Sequence, residues 1–150
     1  MRLTRHTDYA LRALIYLGLQ PDTLGSIGEI AARYGISESH LMKVVQKLGK
    51  AGYLETLRGR GGGVRLGRSA EAIGVGDVVR LTEEGFDIAE CGSCVLRGEC
   101  GLTSIFGQAT TAFLSVLDQF TLADLLRSGD PLRALLRLGI KPRGKPRRAA

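Results

Sequence analysis

The sequence predicts a mainly α-helical fold with a small β-hairpin wing, namely a winged helix-turn-helix followed by a long C-terminal dimerisation helix. Three observations carry that prediction. Two short amphipathic helical patterns meet around Gly35, two β-compatible segments flank a glycine-rich basic tip, and an apolar stripe recurs at three- and four-residue steps beyond residue 101. At 150 residues the chain can bury one ordinary core and carry an appended helical element.

The first helix starts from Thr4, a good N-cap. Leu11, Leu14, Ile15 and Gly18 share one face with Ala10 and Leu17 beside it, and the helix ends before Gln20-Pro21-Asp22. Asp8 lies in its early turns, where a carboxylate complements the positive helix end. Ser26-Ile27-Gly28-Glu29 is a capping box opening a helix with Ile27, Ile30, Ala31 and Tyr34 inward. Gly35 suits the left-handed residue that stops it, and Ser37 caps the next helix, which runs to about Lys50.

That third helix has two distinct faces. Leu41, Val44, Val45 and Leu48 fall on one side; Ser39, Lys43, Gln46 and Lys50 centre the other, flanked by His40 and Lys47. Hydrogen-bonding and cationic groups without a carboxylate suit a DNA major groove, so Ser37, Ser39, His40, Lys43, Gln46 and Lys47 are the candidate contacts. For His40, a surface or capping imidazole is an equally good reading.

After Ala51-Gly52, segments Tyr53 to Leu57 and Val64 to Leu66 enclose Arg58-Gly59-Arg60-Gly61-Gly62-Gly63. This is a hairpin whose tip residues Arg58, Arg60, Gly61 and Gly62 can reach phosphates or a minor groove. It fails as a nucleotide-binding loop, because the G-x-x-x-x-G-K-[ST] pattern is missing and no helix opens directly after the glycines.

A short helix is expected over Val75 to Leu81, followed by an acidic stretch leading to Cys91, Cys94 and Cys100. The C-x2-C-x5-C spacing, set among glycines and small polar residues, suits a loop wrapped around a metal or cluster. Beyond it, Leu102, Ile105, Phe106, Ala109, Phe113, Val116, Leu117 and Phe120 predict a helix of about five turns. Its stripe needs a partner, preferably a second copy of the chain, although the first helix of the same chain would produce the same pattern. Thr121 to Asp124 caps another short helix, and Asp130-Pro131 opens a last one with Leu132, Leu135 and Leu136. The expected organisation is a DNA-binding domain over 1–81, a cysteine loop over 82–101, dimerisation and terminal helices over 102–138, and a basic, disordered tail over 139–150.

Charge is segregated along the chain. Residues 1–69 hold eleven Lys and Arg against five Asp and Glu, residues 70–140 hold five against ten, and residues 141–150 hold five against none. A basic front half points to a polyanionic partner. Neither a signal peptide nor an apolar run of membrane-spanning length is present, so a cytoplasmic location and no membrane partner are expected. In a reducing compartment, clustered cysteines indicate metal binding or thiol redox chemistry before a structural disulfide. The sequence has no second cofactor motif, and a redox enzyme would leave the basic winged domain without a role; no catalytic residues are assigned.

The whole pattern resembles the Rrf-two family of bacterial winged-helix regulators, and most nearly its NsrR-type, nitric-oxide-sensing repressors. The resemblance is carried by residues 3–16 (LTRHTDYALRALIY), 47–54 (KLGKAGYL), 58–67 (RGRGGGVRLG), 73–80 (IGVGDVVR) and 120–125 (FTLADL). It implies a homodimer on a palindromic operator, with the long helices pairing across the two-fold axis. It also implies an iron-sulfur cluster on Cys91, Cys94 and Cys100, usually 4Fe-4S with 2Fe-2S as the alternative, and release from DNA when nitric oxide attacks the cluster or the cluster is lost. Asp8 of the other subunit is the implied fourth ligand, with His6, Glu90 and Glu99 as competitors. The two residues between Cys91 and Cys94 depart from the four or more associated with this family, which bears on cluster type. A zinc site or a thiol switch on the same cysteines, sensing iron or redox state, is the rival reading.

Overall fold

A computed structural model describes residues 2–139 of the chain. The elements are α1 (Arg5–Gly18), α2 (Ile27–Tyr34), α3 (Glu38–Lys50), the antiparallel strands β1 (Leu54–Leu57) and β2 (Gly63–Leu66), α4 (Val75–Thr82), α5 (Leu102–Leu117), α6 (Leu122–Leu125) and α7 (Gly129–Leu135). Short 3-10 turns at Ala70–Ala72 and Cys91–Ser93 fall between them.

The N-terminal half follows its local signals closely. The Thr4 hydroxyl accepts from the Thr7 amide, and Ser26 and Glu29 satisfy one another's backbone amides. Gly35 adopts φ 62°, a left-handed conformation that favours glycine, and ends α2. Ser37 then accepts from the His40 amide to start α3. The hairpin pairs Leu54 with Leu66 through Leu57 with Gly63, one residue from the predicted limits at two of its ends. Gly25 exchanges two backbone hydrogen bonds of 2.8 Å with Val64, fastening the wing to the entrance of α2.

The core is built around α1. Its Ala10, Ala13, Leu14 and Leu17 are buried against Leu41, Val44, Val45 and Leu48 of α3, with Ile30, Leu54, Val64, Val78 and Leu122 closing the cluster. Leu11 and Ile15 are only partly buried, so the inward face is turned from the one centred on Leu11, Leu14, Ile15 and Gly18. The reason is that α1 is packed by α2, α3, α4, α6 and β2 together.

Four further differences arise beyond the wing. α4 continues through Thr82, whose buried hydroxyl donates to Val78 O and Thr7 Oγ1 at 2.8 Å each. α5 stops at Leu117 and does not reach Phe120, because residues 120 and 122 hydrogen-bond to Val75 and Ile73 and are lost to the helix. α7 opens at Gly129, one residue before Asp130-Pro131. Within it Leu132 packs on the core, with Leu136 just beyond, while Leu135 is 80% exposed. Residues 140–150 of the expected tail lie outside the described residues.

Candidate functional site

α3 presents its polar face outward. Ser39, His40, Lys43 and Gln46 are exposed, while Lys47 is half-buried. Ser37 is occupied as the helix cap and shares a 2.9 Å hydrogen bond with the Ser39 hydroxyl. Met42, 54% exposed, lies on the outer surface as an apolar group suited to a thymine methyl. Sequence reasoning missed Met42, and also Arg5 and Tyr9. A cleft of about 290 Å³ brings Thr4, Arg5, His6 and Tyr9 of the α1 entrance together with His40 and Lys43. The cationic residue at position 5 was visible in the sequence, but its nearness to α3 depends on how two helices cross.

At the wing tip, Gly59 and Gly61 have φ of 97° and 77°, and a β-carbon on Gly62 would stand 2.2 Å from Leu57 O. The tight turn therefore requires its glycines and holds Arg58 and Arg60 in solvent. Arg65, by contrast, pairs with Glu55 across the strands at 2.8 Å. Among the described residues Arg58 and Arg60 form no ion pair.

The cysteines occupy a loop of short turns. Cys94 N donates to Cys91 O at 3.4 Å, Arg97 N to Cys94 O at 3.1 Å and Cys100 N to Leu96 O at 3.1 Å, and the Arg97 side chain donates to Gly92 O at 3.2 Å. Cys91 and Cys100 are half-buried, Cys94 is exposed, and all three are free thiols. All three line one cavity of about 200 Å³ with Glu90, Arg97, Leu96 and Phe106, and Cys91 and Cys100 also border a neighbouring one. The donor set fits iron, since thiolates are soft ligands and all three open onto one space. Among the described residues, however, no three Cys, His, Asp or Glu side chains converge in metal-binding geometry.

The candidate fourth ligands are dispersed. Asp8 accepts from Arg12 Nε at 2.9 Å on α1 and is not part of the lining of the two cavities that Cys91 and Cys100 share. Glu90 lines the cysteine cavity, and Glu99 is exposed on the loop. His6 faces Lys47, Glu83 and Glu84 in a cleft between α1, α3 and the start of the loop. Its Nε2 is buried with no hydrogen-bond partner among the described residues. Burial and then the Lys47 charge lower its pKa, against the opposing pull of Glu83 and Glu84.

Glu83 ties the start of the loop to the entrance of α1. Its carboxylate accepts from Thr4 N at 2.8 Å, from Thr4 Oγ1 at 3.0 Å and from the Thr7 hydroxyl. Burial raises its pKa, but the hydrogen bonds from Thr7 and Thr4, helped by His6, outweigh that and hold it below the ordinary 4.5. A carboxyl depressed in the folded state adds stability that is present above its unfolded pKa and lost as pH falls through the folded one. Glu83→Gln should therefore flatten the acid side of a melting-temperature profile below about pH 4.5. An unaltered profile would show that the network contributes no stability.

Sequence comparison identifies the family. A profile of Rrf2, described as an iron-dependent transcriptional regulator, matches residues 3–128. The chain belongs to the Rrf2 family. The HTH-type transcriptional regulator NsrR of Bacillus subtilis is 47% identical over 144 residues, covering 92% of this chain and 99% of that one. The NsrR of Geobacillus kaustophilus is 48% identical over 143 residues, covering 91% and 97%. Among solved structures, the global cysteine regulator CymR of B. subtilis superposes with a TM-score of 0.70 at 30% identity, covering 83% of this chain and 95% of that one. IscR of T. potens gives 0.72 at 28%, covering 89% and 91%. The chain is thus a winged-helix transcriptional regulator of NsrR type and not an enzyme. Among the described residues, no helix is long and apolar enough to cross a membrane.

Proposed function

We propose that this Rrf2 regulator is a cytoplasmic repressor that binds palindromic operator DNA as a homodimer and releases it in response to nitric oxide. The signal acts on an iron-sulfur cluster, 4Fe-4S or alternatively 2Fe-2S, held by Cys91, Cys94 and Cys100. The observation that carries this reading is the single cavity lined by all three free thiols. It lies beyond Glu83, the residue fastened to the entrance of α1.

The chain's own residues supply the rest. Ser39, His40, Lys43 and Gln46 face the major groove, with Ser37 and Lys47 at the edges of that face. Arg58 and Arg60 reach out on the Gly61-Gly62 turn. Residues 1–81 form the DNA-binding domain, 82–101 the cluster loop and 102–138 the dimerisation region. No residue of α5 is buried in the single chain, and Leu102, Ile105 and Val116 are 50%, 57% and 54% exposed. A stripe so exposed is the surface that a second copy covers. Asp8 of that copy completes the ligand set, and an oxygen ligand, harder than a thiolate, leaves one iron open to a small molecule.

The test is anaerobic purification with iron and sulfide analysis, then operator binding before and after stoichiometric nitric oxide. Equal affinity in both states would overturn the gating. The Asp8→Ala variant should fold normally yet show an altered cluster spectrum or faster cluster loss. An unchanged spectrum would transfer the fourth position to Glu90, the competitor beside the cysteines. Arg60→Ala should weaken operator binding and reduce the slope of log K against log salt by close to one unit, since each neutralised phosphate releases about 0.9 counterion. Unchanged affinity and slope would remove Arg60 from the interface.

A zinc or thiol switch is the second reading, favoured by the tight Cys91–Cys94 turn. A colourless protein with stoichiometric zinc, or DNA affinity that follows thiol oxidation without iron, would establish it.

A further inference from the structure

The segment from the C-cap of α5 to the start of α6 is joined to α4 and the residues just before it by three contacts. Arg80 donates from Nη1 and Nη2 to the two oxygens of Asp118, each at 2.6 Å. Beside that pair, Val75 N donates to Phe120 O at 2.9 Å and Leu122 N to Ile73 O at 2.8 Å. Gly76 lies buried directly beneath the pair. A β-carbon there would stand 1.9 Å from Asp118 Oδ1 and 3.0 Å from Arg80 Nη1.

Stability does not account for this arrangement. The Arg80 and Asp118 side chains are 40% and 44% exposed, and ion pairs with that much solvent add little to folding. Glycine within a helix weakens it relative to alanine. What both features supply is geometry, because a forked, two-bonded pair fixes direction as well as distance. α4 is in turn bound to α1 through Thr82 and Thr7, and α1 packs on α3. A continuous packed path therefore runs from the foot of α5 to the helix that faces DNA.

We propose that Arg80, Asp118 and Gly76 are positioning residues that set the angle at which α5 leaves the DNA-binding unit, and so the separation of the two α3 helices in the dimer. This rests on the reading that α5 pairs with a second copy. The 16 residues of α5 make a lever about 24 Å long, so a tilt of about 10° at its foot moves the far end by about 4 Å. Half-sites one turn of DNA apart do not tolerate such a shift, because hydrogen bonds to base edges fail over far less.

Gly76→Ala is the decisive variant. Its methyl collides with the end of a movable carboxylate, and alanine is the better helix former, so melting temperature should hold or rise. Two probes are used: a palindromic duplex selected by the wild-type protein from a random-sequence pool, and a duplex carrying one half of it. Gly76→Ala should bind the palindrome about tenfold or more weakly, the scale of one mismatched base pair, with half-site affinity unchanged. Asp118→Ala should show the same defect. The double variant should be no worse than either single one, since the atom displaced by the methyl is then gone.

Wild-type affinity of Gly76→Ala for the palindrome would overturn the proposal. So would an equal loss on the half-site, which would place the effect inside the DNA-binding unit. A wild-type protein that is monomeric and binds both probes alike would defeat the dimer reading itself, and the positioning role with it.

Discussion

The Cys94→Ala/Cys100→Ala variant is expected to purify with neither stoichiometric iron nor sulfide, while its winged domain melts as in the wild type. Two of three thiolates are then gone, and no other soft ligand lines the cavity. The substitutions remove little packing, because Cys94 is exposed and Cys100 only half-buried, and both lie outside the hydrophobic cluster around α1. Loss of the metal therefore separates from loss of the fold. Operator binding should become indifferent to nitric oxide and resemble that of the cluster-free wild type. A variant retaining full iron would overturn the ligand assignment.

The second large effect is expected from Ile105→Asp on α5. Ile105 is 57% exposed in the single chain, so an aspartate there leaves the monomer intact. In a dimer seam the same carboxylate would be buried without a partner, a penalty of several kcal/mol, and the chains should separate. Operator affinity should then fall by about two orders of magnitude or more, because the second half-site is no longer presented at high effective concentration. Sedimentation alongside operator binding reads both consequences. A stable dimer would exclude this face of α5 from the interface.

These two substitutions also separate what could be read from residues alone from what could not. The cysteine loop was legible because its three cysteines lie within ten residues. That all three line one cavity depends on the turns from Cys91 to Cys100 and on Phe106 arriving from α5. A fourth ligand was not legible from spacing, and the proposal of Asp8 rests on family resemblance alone. In the single chain its carboxylate is paired with Arg12.

The same division runs through the surface proposed to face DNA. Ser37, Lys43 and Gln46 could be placed because a cap and a 3.6-residue period specify one helix face. Arg5 and Tyr9 could not, since they join His40 and Lys43 only through the packing of α1 on α3. Lys47 has the right period for the outer face, yet it stands half-buried beside His6 because the residues leading to the cysteines pass over that end of α3.

Local features follow from the residues alone: the caps at Thr4, Ser26 and Ser37, the left-handed stop at Gly35, the glycine-rich wing tip and the clustered thiols. Each depends on atoms within a few residues of one another, so the identity of the side chain settles the outcome. The tertiary structure decided which face of α1 is buried, where α5 ends, the attachment of Glu83 to Thr4 and Thr7, and the fit of Asp118 over Gly76. The hydrogen bonds behind the last three of these join groups 38 to 79 positions apart. At such separations contact is set by how helices pack and by which backbone groups remain to be satisfied, and no local pattern of residues specifies either.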